Sequence, residues 1–167
     1  MNLSTPTTLT LEKIPSGVQG IRATLLKMRL LTREGKKSLP IRMKAVDIVK
    51  NLREKDNMGE VKAVHAWVRD NIRYIKDVNG VELLHTPEKM LEIRQGDCDD
   101  KSMLLAALCE SIGYPTRFVA ISVTPSKYCH VFAEVKLGSN WLGAETTENV
   151  QLGWQPKAYE KLIIHNK

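Results

Sequence analysis

Apolar positions along this 167-residue chain change their spacing near Pro115. Before it they recur every three or four residues, the period of a helical face; after it they alternate or gather in short branched runs, as strands do. Ile21, Leu25, Met28 and Leu31 predict a first helix over 21–31, ended by EGKKS. A second follows Pro40, with Ile41, Ala45, Ile48, Val49 and Leu52 on one face and the proline in the first turn, where no intrahelical N–H is needed. Val61, Val64, Trp67, Val68 and Ile72 mark the clearest amphipathic helix, over 59–74, with Asp56 and Asn57 as candidate caps. In HTPEKMLEI, Thr86 is placed to cap, Pro87 to start the helix and Glu88 to face its positive end. GDCDDKSMLLAALCESIGYP predicts a helix from Asp97 to Ile112, stopped by Gly113 and Pro115. Its middle is apolar nearly all round, so it should be buried.

Beyond Pro115, TRFVAISV, HVFAEVKL and WLGAE are rich in branched and aromatic residues and are separated by turn signals at TPSK and GSN. Connections this short favour antiparallel pairing. Helices first and a sheet last is an α+β order.

Composition narrows the class without changing the fold. With 43% hydrophobic and 26% charged residues, the chain is expected to be globular and to bury one core. The N-terminal residues lack a basic flank followed by an apolar run, and MLLAAL is far too short to cross a bilayer, so a soluble protein with no leader and no membrane partner is expected. Three widely spaced cysteines do not suit a disulfide framework and point to a reducing, cytoplasmic setting. Residues 22–44 hold eight Lys or Arg against Glu34 alone, a surplus of seven in a chain whose total is +6. The simplest reading is a solvated helical face. Nucleic acid is not expected there, because no aromatic residue interleaves with the run to stack on bases.

RQGDCDD, residues 94–100, carries the candidate chemistry. If Asp97 caps the buried helix, Cys98 sits in its first turn, where unpaired N–H groups favour a thiolate; Asp99 and Asp100 then occupy the positive end. A nucleophilic thiol needs a base. Alternation along CHVFAEVKL puts Val131, Ala133, Val135 and Leu137 on the core face, together with Cys129, and His130, Phe132 and Glu134 on the other. The GSN turn brings Glu145 across from that second face as a neighbour for His130, so Cys98, His130 and Glu145 form a candidate triad. His65 reads as a packed or half-exposed helix residue, His85 as a residue lining the site from the preceding loop, and His165 as part of a frayed tail. No metal and no cofactor is expected: Cys98, Cys109, Cys129 and His130 lack paired ligand spacing, and the three aspartates lack the rest of a calcium loop.

The blocks GDCDDKSMLLAALCESIGYPTRFVAI and HVFAEVKLGSNWLGAETT resemble the transglutaminase-like cysteine hydrolase superfamily, through Gly96–Asp97–Cys98, His130, and Trp141 followed by Glu145 and Thr147. The upstream WVRDNIRYIKD and HTPEKML are also similar, so the likeness covers about residues 60–150. It implies a papain/transglutaminase-like core: a cysteine-bearing helix packed on a small antiparallel sheet, here preceded by N-terminal helices. It also implies acyl transfer on a peptide or protein amide, by hydrolysis or by transfer to an amine. Gln95 is then a candidate oxyanion donor, and Trp141 a packing residue beside the site. The family usually has Asp where this chain has Glu145, so a degenerate scaffold that binds peptide or partner chains is the alternative. A weaker similarity to small members encoded by bacteriophages would imply virion proteins as partners and a virion-associated location. The expected layout is one domain over 1–167: an irregular arm (1–20), a basic helical extension (21–55), a catalytic core (56–155) and a tail (156–167).

Overall fold

The computed structural model of the chain describes residues 12–78 and 82–167. The expected arm therefore lies largely outside the described residues, and its last four are helical. Helix α1 runs Gly17–Gly35, α2 Leu39–Val49 and α3 Asn57–Asn71; β1 (Arg73–Tyr74), α4 (Pro87–Ile93) and β2 (Gln95–Gly96) lead into α5, Cys98–Ser111. Strands β3 (Thr116–Thr124), β4 (Lys127–Leu137), β5 (Asn140–Ala144) and β6 (Glu160–His165) follow. Among the described residues no helix is long and apolar enough to cross a membrane.

Helix α5 is the centre of the molecule. Met103 to Cys109 are fully buried, because α1, α2, α3 and α4 pack around it on one side and β4 and β3 on the other. An apolar surface all round explains this placement: no orientation would let the helix face water cheaply. Leu25, Met28, Ile41 and Ala45 join the same core, so the basic helices are structural walls of it. Two of their cations have a specific task at the far end of α5. Lys36 bonds Glu110 at 2.7 Å and Arg42 donates to the Ser111 carbonyl, where the helix leaves its last carbonyls unpaired.

The sheet is antiparallel, in the order β5-β4-β3-β6. Val131, Ala133 and Val135 face α5 as the alternation predicts, while Phe132, Val119 and Ile121 make a small second cluster with Ala158 on the outer face. Residues 156–167 are not a free tail. Glu160–His165 is an edge strand on β3, with Leu162 and Ile164 turned inward and Lys161, Ile163 and His165 outward. The third helix also ends earlier than expected. Ile72 is extended, and Arg73–Tyr74 pairs in parallel with Gln95–Gly96 immediately before the cysteine.

Candidate active site

Asp97 caps α5 as its position in the sequence requires, its Oδ1 accepting from the Asp99 and Asp100 amides at 3.0 and 3.1 Å. That fixes Cys98 in the first turn. The thiol then meets β4 along the half of its edge that β5 does not cover. β5 stops at Ala144, opposite Ala133, so among the described residues Val131 has no strand partner on that edge. Helix α5 supplies groups there: Ser102 Oγ donates to the Val131 carbonyl at 3.4 Å, and the Val131 backbone amide is near enough to Cys98 to pull its pKa down somewhat. The thiol is thereby held beside the residue that follows His130.

A bulge immediately precedes that histidine. Ile121 pairs with His130 but Ser122 with Tyr128, which leaves Cys129 as the extra residue. Cys129 is consequently exposed rather than on the valine face, because alternation breaks at the bulge. The His130 ring donates through Nε2 to Glu145 Oε2 at 2.5 Å, which leaves Nδ1 as the nitrogen available to another partner.

Glu145 is almost fully buried and every direction around it is committed. Its Oε1 accepts from the Thr147 amide at 2.7 Å and the Thr147 hydroxyl at 2.8 Å. Burial pushes the carboxyl up, but the bond and charge of His130 and the two Thr147 donors outweigh it, leaving Glu145 below the ordinary glutamate value. It is therefore an anion at neutral pH, as an orienting carboxylate must be.

The thiol itself departs from expectation. Burial, first, and then the charge of Asp99 push Cys98 well above an ordinary cysteine, despite its place at a helix start. Asp99 is also pushed well up, by burial and by the charges of Asp97 and Glu82. Cys98 rests as a neutral thiol donating to Asp99 Oδ1 at 3.5 Å, so it would act as a nucleophile only after a base takes its proton.

Residues 45–146, more than half of the chain, match the transglutaminase-like superfamily core, and the match ends one residue beyond Glu145. The chain belongs to the transglutaminase-like superfamily. Solved structures share this transglutaminase-like fold. One, a candidate cysteine protease from Cytophaga hutchinsonii, is 20% identical with a TM-score of 0.53 over 75% of this chain and 46% of its own. A candidate protease from Parabacteroides distasonis has a TM-score of 0.60 at 8% identity, over 86% of this chain and 29% of its own. Calcium-bound LapG of Legionella pneumophila is 17% identical, with a TM-score of 0.54 over 77% and 76%. This chain thus spans less than half the length of the first two. A comparison with curated proteins finds no match.

Not every residue picked from the sequence joins this transglutaminase-like group. Gln95 does lie on β2, exposed and three residues before the cysteine. His85 is committed to Asp100: its backbone N–H and Nδ1 both bond that buried carboxylate at 2.8 Å, which anchors the preceding loop to α5 two residues beyond Cys98. Trp141 is at the far end of β5 from Glu145, about 13 Å away at strand rise. There it lies under Arg117, 4.3 Å from its ring centroid, and meets His165 edge-on.

Two residues with no assigned role hold the group in place. His65 is buried on α3 and its Nε2 donates to the Glu145 backbone carbonyl at 2.5 Å; burial pushes its pKa down, so the ring is neutral. Its position beside Val61, Val64 and Val68 was the available signal, since a polar residue on a buried stripe needs a partner. Lys101, one turn beyond Cys98, is buried and donates to the Ile72 carbonyl at 2.6 Å and more weakly to that of Arg69 at 3.4 Å.

The cap carries a measurable pH dependence. Burial pushes Asp97 up to about 6, against 3.8 for a free aspartate. Between those values the folded chain holds a proton that the unfolded chain has released, so this residue's contribution to stability falls as pH rises from about 4 through 6. Asparagine caps as well as aspartate without a charge to bury. Asp97→Asn is expected to match the parent at pH 4 and to exceed it at pH 7.5 by about 1 kcal/mol after solvent screening, a rise in melting temperature of roughly 2–4 °C. Thermal melts at the two pH values check this; a variant that is weaker at both would show that the charged cap is the better one.

Proposed function

We propose that the chain is a cysteine-nucleophile acyl-transfer enzyme acting on amide bonds, most simply a peptidase or amidase, with Cys98, His130 and Glu145 as its triad. The observation that supports it best is the His130–Glu145 bond. A carboxylate on Nε2 holds the proton there and leaves Nδ1 as the basic nitrogen, on the residue adjoining the one whose amide faces the thiol. In this reading Nδ1 takes the Sγ proton while sulfur bonds the amide carbonyl carbon, and the C=O electrons move onto oxygen. The Cys98 backbone N–H, at the start of α5, and the Gln95 side-chain amide face that oxyanion. Collapse of the tetrahedral adduct expels the amine, which takes the proton back from His130 and leaves a thioester. Water then yields an acid, or a second amine yields a new amide, with His130 again accepting the nucleophile's proton. The protease names attached to two of the structural neighbours agree with hydrolysis.

One observation favours a second reading, a scaffold without catalysis: the half-buried thiol, its pKa raised by desolvation and by the charge of Asp99. The chain contains its own control for deciding between them, because Cys129 is exposed, Cys98 half-buried and Cys109 buried. Exposure alone would make Cys129 the first to react. With iodoacetamide at pH 7.5 and peptide mapping, Cys98 is expected to be alkylated several-fold faster than Cys129, and His130→Ala to slow Cys98 at least tenfold while leaving Cys129 unchanged. If Cys129 reacts first and the histidine has no influence, the scaffold reading replaces the enzyme.

A further inference from the structure

A cavity of about 520 Å³ adjoins the triad on the side of Glu145, and its charge is unbalanced. Four cations line it, Arg69, Arg73, Arg94 and Lys101, against Asp70 and the exposed rim residue Glu148. Two of the cations are already occupied. Arg69 is paired with Asp70 at 2.7 Å, and Arg94 lies over the Trp67 ring at 4.8 Å with its Nε on the Leu91 carbonyl. Arg73 and Lys101 have no carboxylate within ion-pair distance among the described residues.

Lys101 is the more telling of the two. An ammonium has three N–H donors, and here two of them meet carbonyls at the end of α3. Its residue is only 2% exposed, yet the nearest acids are committed elsewhere: Asp70 to Arg69, Glu145 to His130 and Thr147. A buried cation without a counter-charge is costly, and the cost is visible as a pKa pushed down by burial to about 8. An anion entering the cavity would supply what Lys101 lacks.

Three of the lining residues tie the cavity to the reaction centre. Lys101 is one helical turn from Cys98, about 4.5 Å of rise. Tyr74 pairs with Gly96, two residues before the thiol, and Thr147 holds Glu145. We propose that this cavity is the subsite for a carboxylate carried by the amide substrate, so that the substrate class is an acidic peptide with a Glu or Asp side chain, or a free C-terminus, close to the scissile bond. The proposal rests on the acyl-transfer reading above. A nucleic-acid phosphate fits the site less well, since among the described residues Tyr74 alone lines it with an aromatic ring and offers no series of faces for stacking.

Binding separates this proposal from catalysis. The Cys98→Ala protein, which cannot consume a peptide, is titrated by fluorescence anisotropy with three fluorescein-labelled peptides. They are Ala-Glu-Glu-Ala amide, its Gln-Gln counterpart, and tetra-alanine with a free C-terminal carboxylate. The Glu peptide is expected to bind at least tenfold more tightly than the Gln peptide. Arg73→Glu is expected to erase that difference, with Arg73→Ala intermediate and Lys62→Glu, on the exposed face of α3, without effect; melts establish that each variant is folded. Whether the free-carboxylate peptide matches the Glu peptide or the Gln peptide separates a terminal from a side-chain carboxylate, and the first outcome requires only that one acidic form gain. Equal binding of all three, or an advantage indifferent to Arg73, overturns the proposal. So does displacement of the Glu peptide by a single-stranded oligonucleotide at lower concentration than by unlabelled Glu peptide. A failed alkylation result with a preserved acidic preference would remove the enzyme and leave the cavity's ligand standing; the reverse pattern would remove only the cavity's role.

Discussion

Cys98→Ala is expected to abolish acylation of the protein by an activated ester, the largest single effect of any substitution in this chain. Removing a nucleophile costs every step that follows it. In cooperative triads the loss is roughly ten-thousand-fold or more, about 5 kcal/mol of transition-state stabilisation, with only the residual contribution of binding and oxyanion donors left. The measurement is the burst of p-nitrophenol from p-nitrophenyl acetate, read together with the mass of the acylated protein. The parent should carry one acetyl group on Cys98. Cys129→Ser should behave as the parent, since that thiol is exposed at a bulge and away from the helix start that would supply an oxyanion donor. Cys98→Ala should stay folded, because the thiol's partners are one backbone amide and one carboxyl that also faces Glu82. A burst that survives in Cys98→Ala and disappears in Cys129→Ser would move the chemistry to the wrong cysteine and end the proposal.

Much of this arrangement was legible in local patterns. The caps at Asp56, Thr86 and Asp97 each accept the backbone bonds their positions predict, since capping is a matter between neighbours in sequence. Strands β3, β4 and β5 follow from branched runs between turn signals, and the Cys98, His130 and Glu145 choices follow from face and order. What was not legible is what depends on distant partners. EKLIIH has only a short inward pair, Leu162 and Ile164, and reads as a charged end until β3 is there to receive it. Arg73–Tyr74 is two residues long, and nothing in it announces a parallel partner more than twenty residues on. The bulge at Cys129 breaks a period-two pattern that the sequence alone continues without interruption. Lys101 stands among acids at an apparent helix surface, and only the end of α3 explains why it is buried. Trp141 was placed by its motif neighbours, but a strand carries residues four apart to opposite ends, and Arg117 claims its face.

The departure from aspartate at residue 145 is where geometry gives the sharpest expectation, because this glutamate is fitted rather than tolerated. Its backbone carbonyl is fixed by His65, its Oε1 by both donors of Thr147, and its Oε2 reaches the His130 ring at 2.5 Å. Shortening the side chain by one methylene withdraws the carboxylate by about 1.3–1.5 Å, on the scale of one C–C bond. Aspartate at 145 could then keep Thr147 or His130, not both, since the backbone cannot advance without breaking the His65 bond. Glu145→Asp is expected to lose roughly ten- to a hundred-fold in acylation rate even though aspartate is the residue the wider superfamily uses. Glu145→Gln should do worse. Its amide has the right length, but the NH₂ group must donate to Nε2 if the oxygen stays on Thr147, which drives the ring proton to Nδ1, the nitrogen that must accept from sulfur. A loss of about 10³–10⁴ follows from the wrong tautomer alone, with melting temperature little changed. Two readouts identify this as an orienting role: the Cys98 alkylation rate should fall in the order parent, Asp, Gln, and ¹⁵N spectra of the His130 ring should show the proton on Nε2 in the parent and on Nδ1 in the Gln variant. A Gln variant that reacts within threefold of the parent would mean that Glu145 secures the strand end and that His130 finds its own orientation.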